Sequence, residues 1–115
     1  MYKVIGYWSA PARAEDIDAF EDEYMNVHVP IATKIPGLLQ LLTTRVDSAY
    51  GGGTPAHYRI AELVFADKES QEAGLASPEY VAVSTHGGQL VERFGVQITG
   101  EIGEVVSTPT ESGKN

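Results

Sequence analysis

The apolar segments of this chain follow either a strand pattern or a helix pattern, and their order along the chain predicts the fold. Runs rich in aromatic and β-branched residues predict four strands, at residues 2–8, 38–46, 57–66 and 95–106. Apolar residues at helical spacing predict a helix over residues 15–35 and a broken helical region over residues 67–94. The order strand, helix, strand, strand, helix, strand is the split βαβ pattern. The sequence therefore predicts an α+β, ferredoxin-like βαββαβ domain with an antiparallel four-stranded sheet.

The length of 115 residues corresponds to one domain. We expect a single domain over residues 1–106 and a disordered polar tail over residues 107–115. No segment approaches the ~18 consecutive apolar residues of a transmembrane helix. The first residues follow a strand pattern and lack the long apolar core of a signal peptide. A cytoplasmic protein is therefore the expectation.

The charge of the chain narrows its partners and cofactors. There are 16 acidic and 8 basic residues, for a formal net charge of −8, and no basic run, so we expect no nucleic-acid partner and no membrane partner. The absence of cysteine excludes disulfides and thiolate metal sites. The histidines, His28, His57 and His86, do not cluster in sequence, so we expect no metal site. No cofactor is expected, although a single histidine would suffice to ligate haem.

The first predicted helix carries an imidazole on an otherwise apolar face. That face follows 3–4 spacing through Ile17, Phe20, Tyr24, Val27, Ile31 and Ile35. His28 lies four residues after Tyr24, so the two side chains share this face. A buried polar group without a partner costs on the order of 1–3 kcal/mol. The partner of His28 is therefore another protein group, a water molecule or a ligand.

Helix-breaking residues predict two irregularities. Pro30 cannot donate its backbone hydrogen bond, so we expect a kink or break just after His28. The pair Gly87-Gly88 is expected to bend or interrupt the second helical region. That region has a good start at Ser77-Pro78-Glu79, with a capping hydroxyl followed by proline.

Apolar side chains are predicted on both faces of the sheet. Alternation within each strand opposes Ile5 and Tyr7 to Val4 and Trp8, Leu38 and Leu42 to Leu39 and Leu41, and Ile60 and Val64 to Leu63 and Phe65. The two helices of a ferredoxin-like domain cover one face, and the other is normally polar. The second face therefore needs a cover, and we expect an identical sheet from another copy in a homodimer.

The chain contains three short motifs, Tyr24-x-x-x-His28-x-Pro30, Ile35-Pro36-Gly37-Leu38 and Ser77-Pro78-Glu79. Together they resemble the EthD family of the dimeric α/β-barrel superfamily. The resemblance implies two protomers that form a barrel from two four-stranded sheets, with a pocket between helices and sheet. It also implies relatives that act on, or carry, small hydrophobic and often aromatic molecules, including cofactor-free monooxygenases. EthD itself is associated with the oxidative degradation of ethyl tert-butyl ether.

The resemblance also bears on individual residues. His28 matches the characteristic histidine of the family, and Pro30 matches its proline. Tyr24 stands where members often carry an aromatic or polar residue. His86 stands where many members have an acidic residue, so this chain departs from the pattern there and gains a second imidazole near the site.

The candidate catalytic residues are His28, as a proton acceptor, and Tyr24, as a group that orients the substrate. The alternative for His28 is a core histidine bonded to a backbone carbonyl freed by Pro30, and for Tyr24 it is simple packing. The candidate substrate-binding residues are Trp8, Phe20, Glu62, Phe65 and His86. Packing is the alternative for the aromatic residues, and solvation is the alternative for Glu62. If its face lines a pocket or an interface, Glu62 is a second acid or a partner for Arg59 or Arg93.

Two classes of function remain open, and the alternative to both is a dimer whose pocket is filled by its own side chains. The first is a cofactor-independent oxidoreductase or monooxygenase-like enzyme of an oxidative degradation pathway, in which His28 accepts a proton from a small hydrophobic molecule. An isomerase is a further possibility within the enzyme class. The second is a carrier or accessory protein of such a pathway, which binds a small hydrophobic or aromatic ligand without turnover.

Overall fold

A computed structural model describes residues 1–113 of the chain. The strands are β1 (Tyr2–Trp8), β2 (Leu38–Arg45), β3 (Arg59–Phe65) and β4 (Ile98–Glu104). The helices are α1 (Ile17–Glu23), α2 (Val29–Ala32), α3 (Lys68–Leu75) and α4 (Pro78–Phe94), with a 3₁₀ turn at Ala14–Asp16 and a π-helical turn at Tyr24–His28. The strands form one antiparallel sheet in the order β2-β3-β1-β4. The predicted α+β, ferredoxin-like fold is confirmed.

A bulge in β2 decides which of its leucines face the helices. Leu38 pairs with Phe65 and Gln40 with Val64, so Leu39 is an extra residue between two consecutive pairs. Leu41 then pairs with Leu63, which places Leu38 and Leu41 on the same face. The predicted opposition of Leu38 to Leu41 is wrong, because strict alternation fails where one strand gains a residue.

The opposite face of the sheet carries both apolar and charged side chains. Tyr7 pairs with Ile60 across β1 and β3, and Ile5 pairs with Glu62. The Glu62 carboxylate accepts a hydrogen bond from the Lys3 ammonium on the same face. This face therefore includes the apolar positions from which a homodimer was predicted, and the dimer stays a prediction.

The first helical segment is irregular before Pro30, not after it. Pro30 stands in the first turn of α2, and the helix continues through it to Ala32. The irregularity is the π-helical turn Tyr24–His28, in which the Val29 N–H donates to the Tyr24 carbonyl five residues earlier. The predicted break just after His28 is therefore wrong. A proline ring collides with the carbonyl four residues before it in a regular helix, and a widened turn at that point relieves the collision.

The second helical region divides where the capping signal indicates. Ser77 caps α4, and its hydroxyl accepts a hydrogen bond from the Tyr80 N–H at 3.1 Å. The predicted interruption at Gly87-Gly88 is wrong, because α4 runs unbroken for 17 residues to Phe94. Each glycine costs a helix only about 1 kcal/mol relative to alanine, which the packing of a long helix outweighs.

Two apolar clusters hold the helices to the sheet. The first consists of Trp8, Phe20, Tyr24, Leu90, Phe94 and Val96, and the second of Ala32, Ile35, Leu63 and Phe65. Both draw on the sheet and on the segment that carries the π-helical turn. The turn is therefore anchored between two packed regions.

The polar end of the chain adds no helix or strand over residues 107–113. Residues 114 and 115, which complete the tail predicted to be disordered, lie outside the described residues. Within the described part of the chain, no helix combines the length and the apolar character needed to cross a bilayer.

Candidate active site

A cavity of about 320 Å³ lies between the helices and the sheet, bordered by members of both apolar clusters. Its walls are mostly apolar and include Val4, Leu41, Leu63, Val83, Val91 and Ile98. The lining residues that carry a polar side-chain atom are Trp8, Tyr24, His28, Thr43, Tyr80 and Ser84. No charged side chain of residues 1–113 lines it. A volume and lining of this kind suit a small hydrophobic ligand.

His28 enters this cavity from the π-helical turn. Its side chain is buried, and its ring stacks on Tyr24 with centroids 5.7 Å apart. The ring also meets Trp8 edge to face at 5.1 Å. These two aromatic neighbours hold the imidazole plane in one orientation, because each contact depends on ring geometry.

One nitrogen of His28 bonds a second histidine. His28 Nδ1 lies 2.9 Å from His86 Nδ1, and the two rings stack at 5.1 Å. On its far side, His86 Nε2 lies 2.9 Å from the Glu23 carboxylate. Arg93 stands beyond, with its guanidinium 3.9 Å from the same carboxylate. A hydrogen-bonded line thus runs from the cavity through His28 and His86 to Glu23.

Local structure explains how these side chains meet. Glu23 and His28 are five residues apart, a spacing that does not share one face of a regular α-helix. The π-helical turn shifts the helix to i→i+5 bonding, and both side chains reach His86. On α4, Gly87 packs next to His28, and a Cβ there would lie at an ordinary van der Waals distance of 3.8 Å from His28 Cε1. The π-helical turn is therefore the feature that brings both side chains to His86.

Burial sets the protonation of the site. Burial, and to a lesser extent the neighbouring His86, lower the pKa of His28 to about 4, so its imidazole is neutral at pH 7. Burial raises the pKa of Tyr24 to about 12, so its phenol keeps its proton. The cavity therefore presents a neutral imidazole beside a protonated phenol.

This pKa predicts a pH-dependent loss of stability. The ordinary pKa of histidine is 6.5, and that of His28 in the fold is about 4. Between these two pH values the unfolded chain binds more protons at His28 than the folded protein does. The contribution of neutral His28 to the unfolding free energy is therefore fully present above pH 6.5 and is lost as the pH falls toward 4. The His28 contribution is about 3 kcal/mol. Urea unfolding at pH 7 and pH 4 is expected to show a smaller loss for His28→Gln than for wild type. Equal losses would contradict the assignment, since the carboxylates titrate in both proteins.

The structure brings some of the predicted site residues together and separates others. Trp8, Tyr24 and His28 line the cavity, and His86 bonds His28 from behind. Phe20 and Phe65 do not line the cavity; they are fully buried, each in a different apolar cluster.

Glu62 lies on the opposite face of the sheet, away from the cavity. Its carboxylate bonds Lys3, and neither Arg59 nor Arg93 is its partner. Arg59 instead forms a partly buried ion pair with Glu21 and lies over the Tyr24 ring, 5.0 Å from its centroid.

Glu23 belongs to the site although no pattern in the sequence singles it out. It is one of six acidic residues from Glu15 to Glu23, and such crowding at a helix start usually reflects solvation and the helix dipole. The one available signal is its position directly before the Tyr24–His28 segment. Within residues 1–113, no group of three histidine or acidic side chains is arranged to hold a metal ion.

Comparison with known proteins agrees with this architecture. The sequence profile of the EthD domain matches residues 13–93. An ethyl tert-butyl ether (EthD) family protein of Bacillus halodurans C-125 superposes with a TM-score of 0.72 at 28% identity, over 92% of this chain and 99% of that chain. No curated protein is a significant match.

More distant structures share the fold alone. An EthD-like protein of Ralstonia eutropha JMP134 is 16% identical, with a TM-score of 0.64 over 96% of each chain. The cofactor-independent oxygenase SnoaB of Streptomyces nogalater is 14% identical, with a TM-score of 0.60 over 96% of this chain and 97% of that chain. The profile match spans well over half of this chain and includes both buried histidines. The chain therefore belongs to the EthD family.

Proposed function

We propose that this protein is a cofactor-independent oxidoreductase, with monooxygenase-like chemistry on a small hydrophobic, aromatic molecule. Its place would be in an oxidative degradation pathway of the ethyl tert-butyl ether type, and its location the cytoplasm. The observation that carries the proposal is the neutral His28 imidazole, which borders an apolar cavity of about 320 Å³. A proton acceptor in a mostly apolar site without charged walls is what an acidic C–H or O–H substrate requires.

The chemistry assigned to His28 is removal of one proton from the substrate. The resulting anion is delocalised over an aromatic system and is itself the reductant for dioxygen, as in a reaction that converts a CH₂ group to a carbonyl. One oxygen atom enters the C=O bond, and the other leaves as water with the two hydrogens of that carbon. Under this proposal, Trp8 and Tyr24 hold the flat substrate against the imidazole.

Oxygen uptake with anthrone tests this activity. Anthrone is an aromatic ketone with one acidic CH₂ group, and its rings suit an apolar cavity. We expect oxygen consumption in the presence of the protein, with one atom of ¹⁸O₂ recovered in the product carbonyl and one in water. If the folded protein neither consumes oxygen nor forms product with anthrone or with phenols, the enzyme assignment is contradicted.

A second candidate is non-catalytic carriage of the same class of ligand. The low pKa of His28, about 4, favours this alternative, because such a group is a weak base. A carrier would bind anthrone or a phenol with saturable affinity, and neither oxygen nor ligand would be consumed. Calorimetric binding beside the oxygen assay separates the two candidates.

We also propose that the protein is a homodimer in which the sheets of two copies meet. The support is the apolar content of the face opposite the cavity, which includes Ile5, Tyr7 and Ile60. Sedimentation at micromolar concentration is expected to give twice the chain mass. Leu42→Glu places a charge on that face and should shift the protein toward monomer, whereas Val81→Glu, at a position 61% exposed on α4, should not. A well-folded wild-type monomer would overturn the proposal.

A further inference from the structure

The site continues from the cavity toward the surface. His28 borders the cavity and is 7% exposed, His86 behind it is 8% exposed, and the Glu23 side chain at the far end is 28% exposed. The two links are both 2.9 Å long. His86, at the centre of this line, therefore has a hydrogen-bond partner on each side.

The direction of each hydrogen bond follows from the chemistry of the groups. An ionised carboxylate only accepts, so Glu23 requires a hydrogen on His86 Nε2. A neutral imidazole has one N–H, so His86 Nδ1 accepts from the hydrogen on His28 Nδ1. His28 Nε2 is then the atom with the free lone pair, and it has no hydrogen-bond partner among residues 1–113.

Few other charged or titratable groups face this line. Tyr24 stacks on His28, and its raised pKa keeps it neutral. Arg93, on α4, lies 3.9 Å from the Glu23 carboxylate. A positive charge on His86 would therefore be paired with an anion, whereas the same charge on His28 would sit in an apolar wall without one.

We infer that His86 and Glu23 are positioning residues that form a proton relay behind His28, an inference that rests on the proposed function. His28 Nε2 takes the substrate proton while its Nδ1 hydrogen passes to His86 Nδ1. His28 ends neutral with the hydrogen on Nε2, and His86 ends as an imidazolium paired with Glu23. The partly exposed Glu23 carboxylate gives the proton an exit to solvent.

The relay resolves a difficulty in the chemistry of His28. A histidine whose own protonation is disfavoured by burial would be a weak base if it had to keep the proton. Transfer to His86 separates acceptance of the proton, in the cavity, from storage of its charge, beside the carboxylate. The base strength available to a substrate is then a property of the whole line.

Nitrogen NMR of the free protein tests the relay without any substrate. With ¹⁵N-labelled histidine at pH 8, we expect His28 Nε2 and His86 Nδ1 to show the chemical shift of an unprotonated nitrogen. His28 Nδ1 and His86 Nε2 should each show a bound hydrogen. As the pH falls and the pair takes up one proton, the hydrogen of His28 should move from Nδ1 to Nε2.

Two matched variants complete the test. Glu23→Gln replaces a carboxylate that only accepts with an amide that can accept or donate, so His28 should show a mixture of tautomers. The same change should lower the rate of oxygen uptake on the order of 10–10²-fold, with little change in KM. Asp22→Asn removes the same charge from the exposed neighbouring position and should change neither. A hydrogen on His28 Nε2 at pH 8 in wild type would overturn the relay, even if turnover is observed. The predicted tautomers in a protein without turnover would instead remove the proposed function.

Discussion

Replacement of His28 with alanine is expected to lower the rate of oxygen-dependent turnover by about 10²–10⁴-fold, the contribution typical of a general base. The fold should persist, because the variant retains the aromatic packing of Trp8 with Tyr24 and removes a side chain from a cavity wall. The measurement is kcat with anthrone, with circular dichroism as the check on folding. If the protein is a carrier, the same change should weaken anthrone binding with no rate to lose.

His57→Ala is the matched control for this variant. His57 precedes β3, and its ring lies 4.4 Å from Tyr7, a residue of the face opposite the cavity. We expect its turnover and ligand affinity to stay within about twofold of wild type, because His57 is not among the residues that line the cavity. If His57→Ala lost activity and His28→Ala retained it, the active site would lie on the face of the sheet opposite the cavity.

Replacement of Phe65 with alanine is expected to cost about 3–5 kcal/mol of unfolding free energy. Phe65 is 0% exposed, and it packs with Ile35 and Leu63 in the second apolar cluster. Its ring also lies directly on α3, because a Cβ at Gly74 would come within 2.6 Å of Phe65 Cε1. The space left by the ring cannot be filled without movement of the helix. The loss is a large share of the 5–15 kcal/mol that stabilises a typical domain.

Urea unfolding at a single protein concentration measures this loss, since a dimer would make stability depend on concentration. Val81→Ala, at an exposed position of α4, is the control and should change stability by less than about 0.5 kcal/mol. The test also separates the two interpretations of Phe65. If Phe65 bound substrate, its replacement would lower ligand affinity with little effect on stability. Its position in the core predicts instead a loss of stability with little effect on ligand affinity.

Much of the fold was predictable because its signals are local. The strands are apolar runs that stop at glycine, proline or polar residues, and Ser77-Pro78 supplies a helix start that depends only on nearby backbone groups. The predictions failed where tertiary packing overrides the local preference of the sequence. The bulge at Leu39 places Leu38 on the same face as Leu41, and α4 continues through Gly87-Gly88 because the packing of the helix outweighs the low helix propensity of two glycines.

The candidate site was predictable in part. Tyr24 and His28 are four residues apart, and that spacing alone places them side by side, as the stacked rings show. The sequence leaves the partner of His28 open among a protein group, a water molecule and a ligand. The structure provides His86, which is 58 residues away in the chain, and behind it Glu23. A bond between residues so far apart in sequence depends on how α4 packs on the π-helical turn.

The sequence by itself determined the order of the elements, the ferredoxin-like fold and the presence of an imidazole on an apolar helix face. Those features follow from periodicity and from residue chemistry, which act over a few neighbouring positions. Only the tertiary structure decided which nitrogen of His28 is occupied, which acids stand near the site, and that Glu62 and Phe65 lie outside the cavity. These are questions of distance between segments, and distances are set when the helices pack against the sheet.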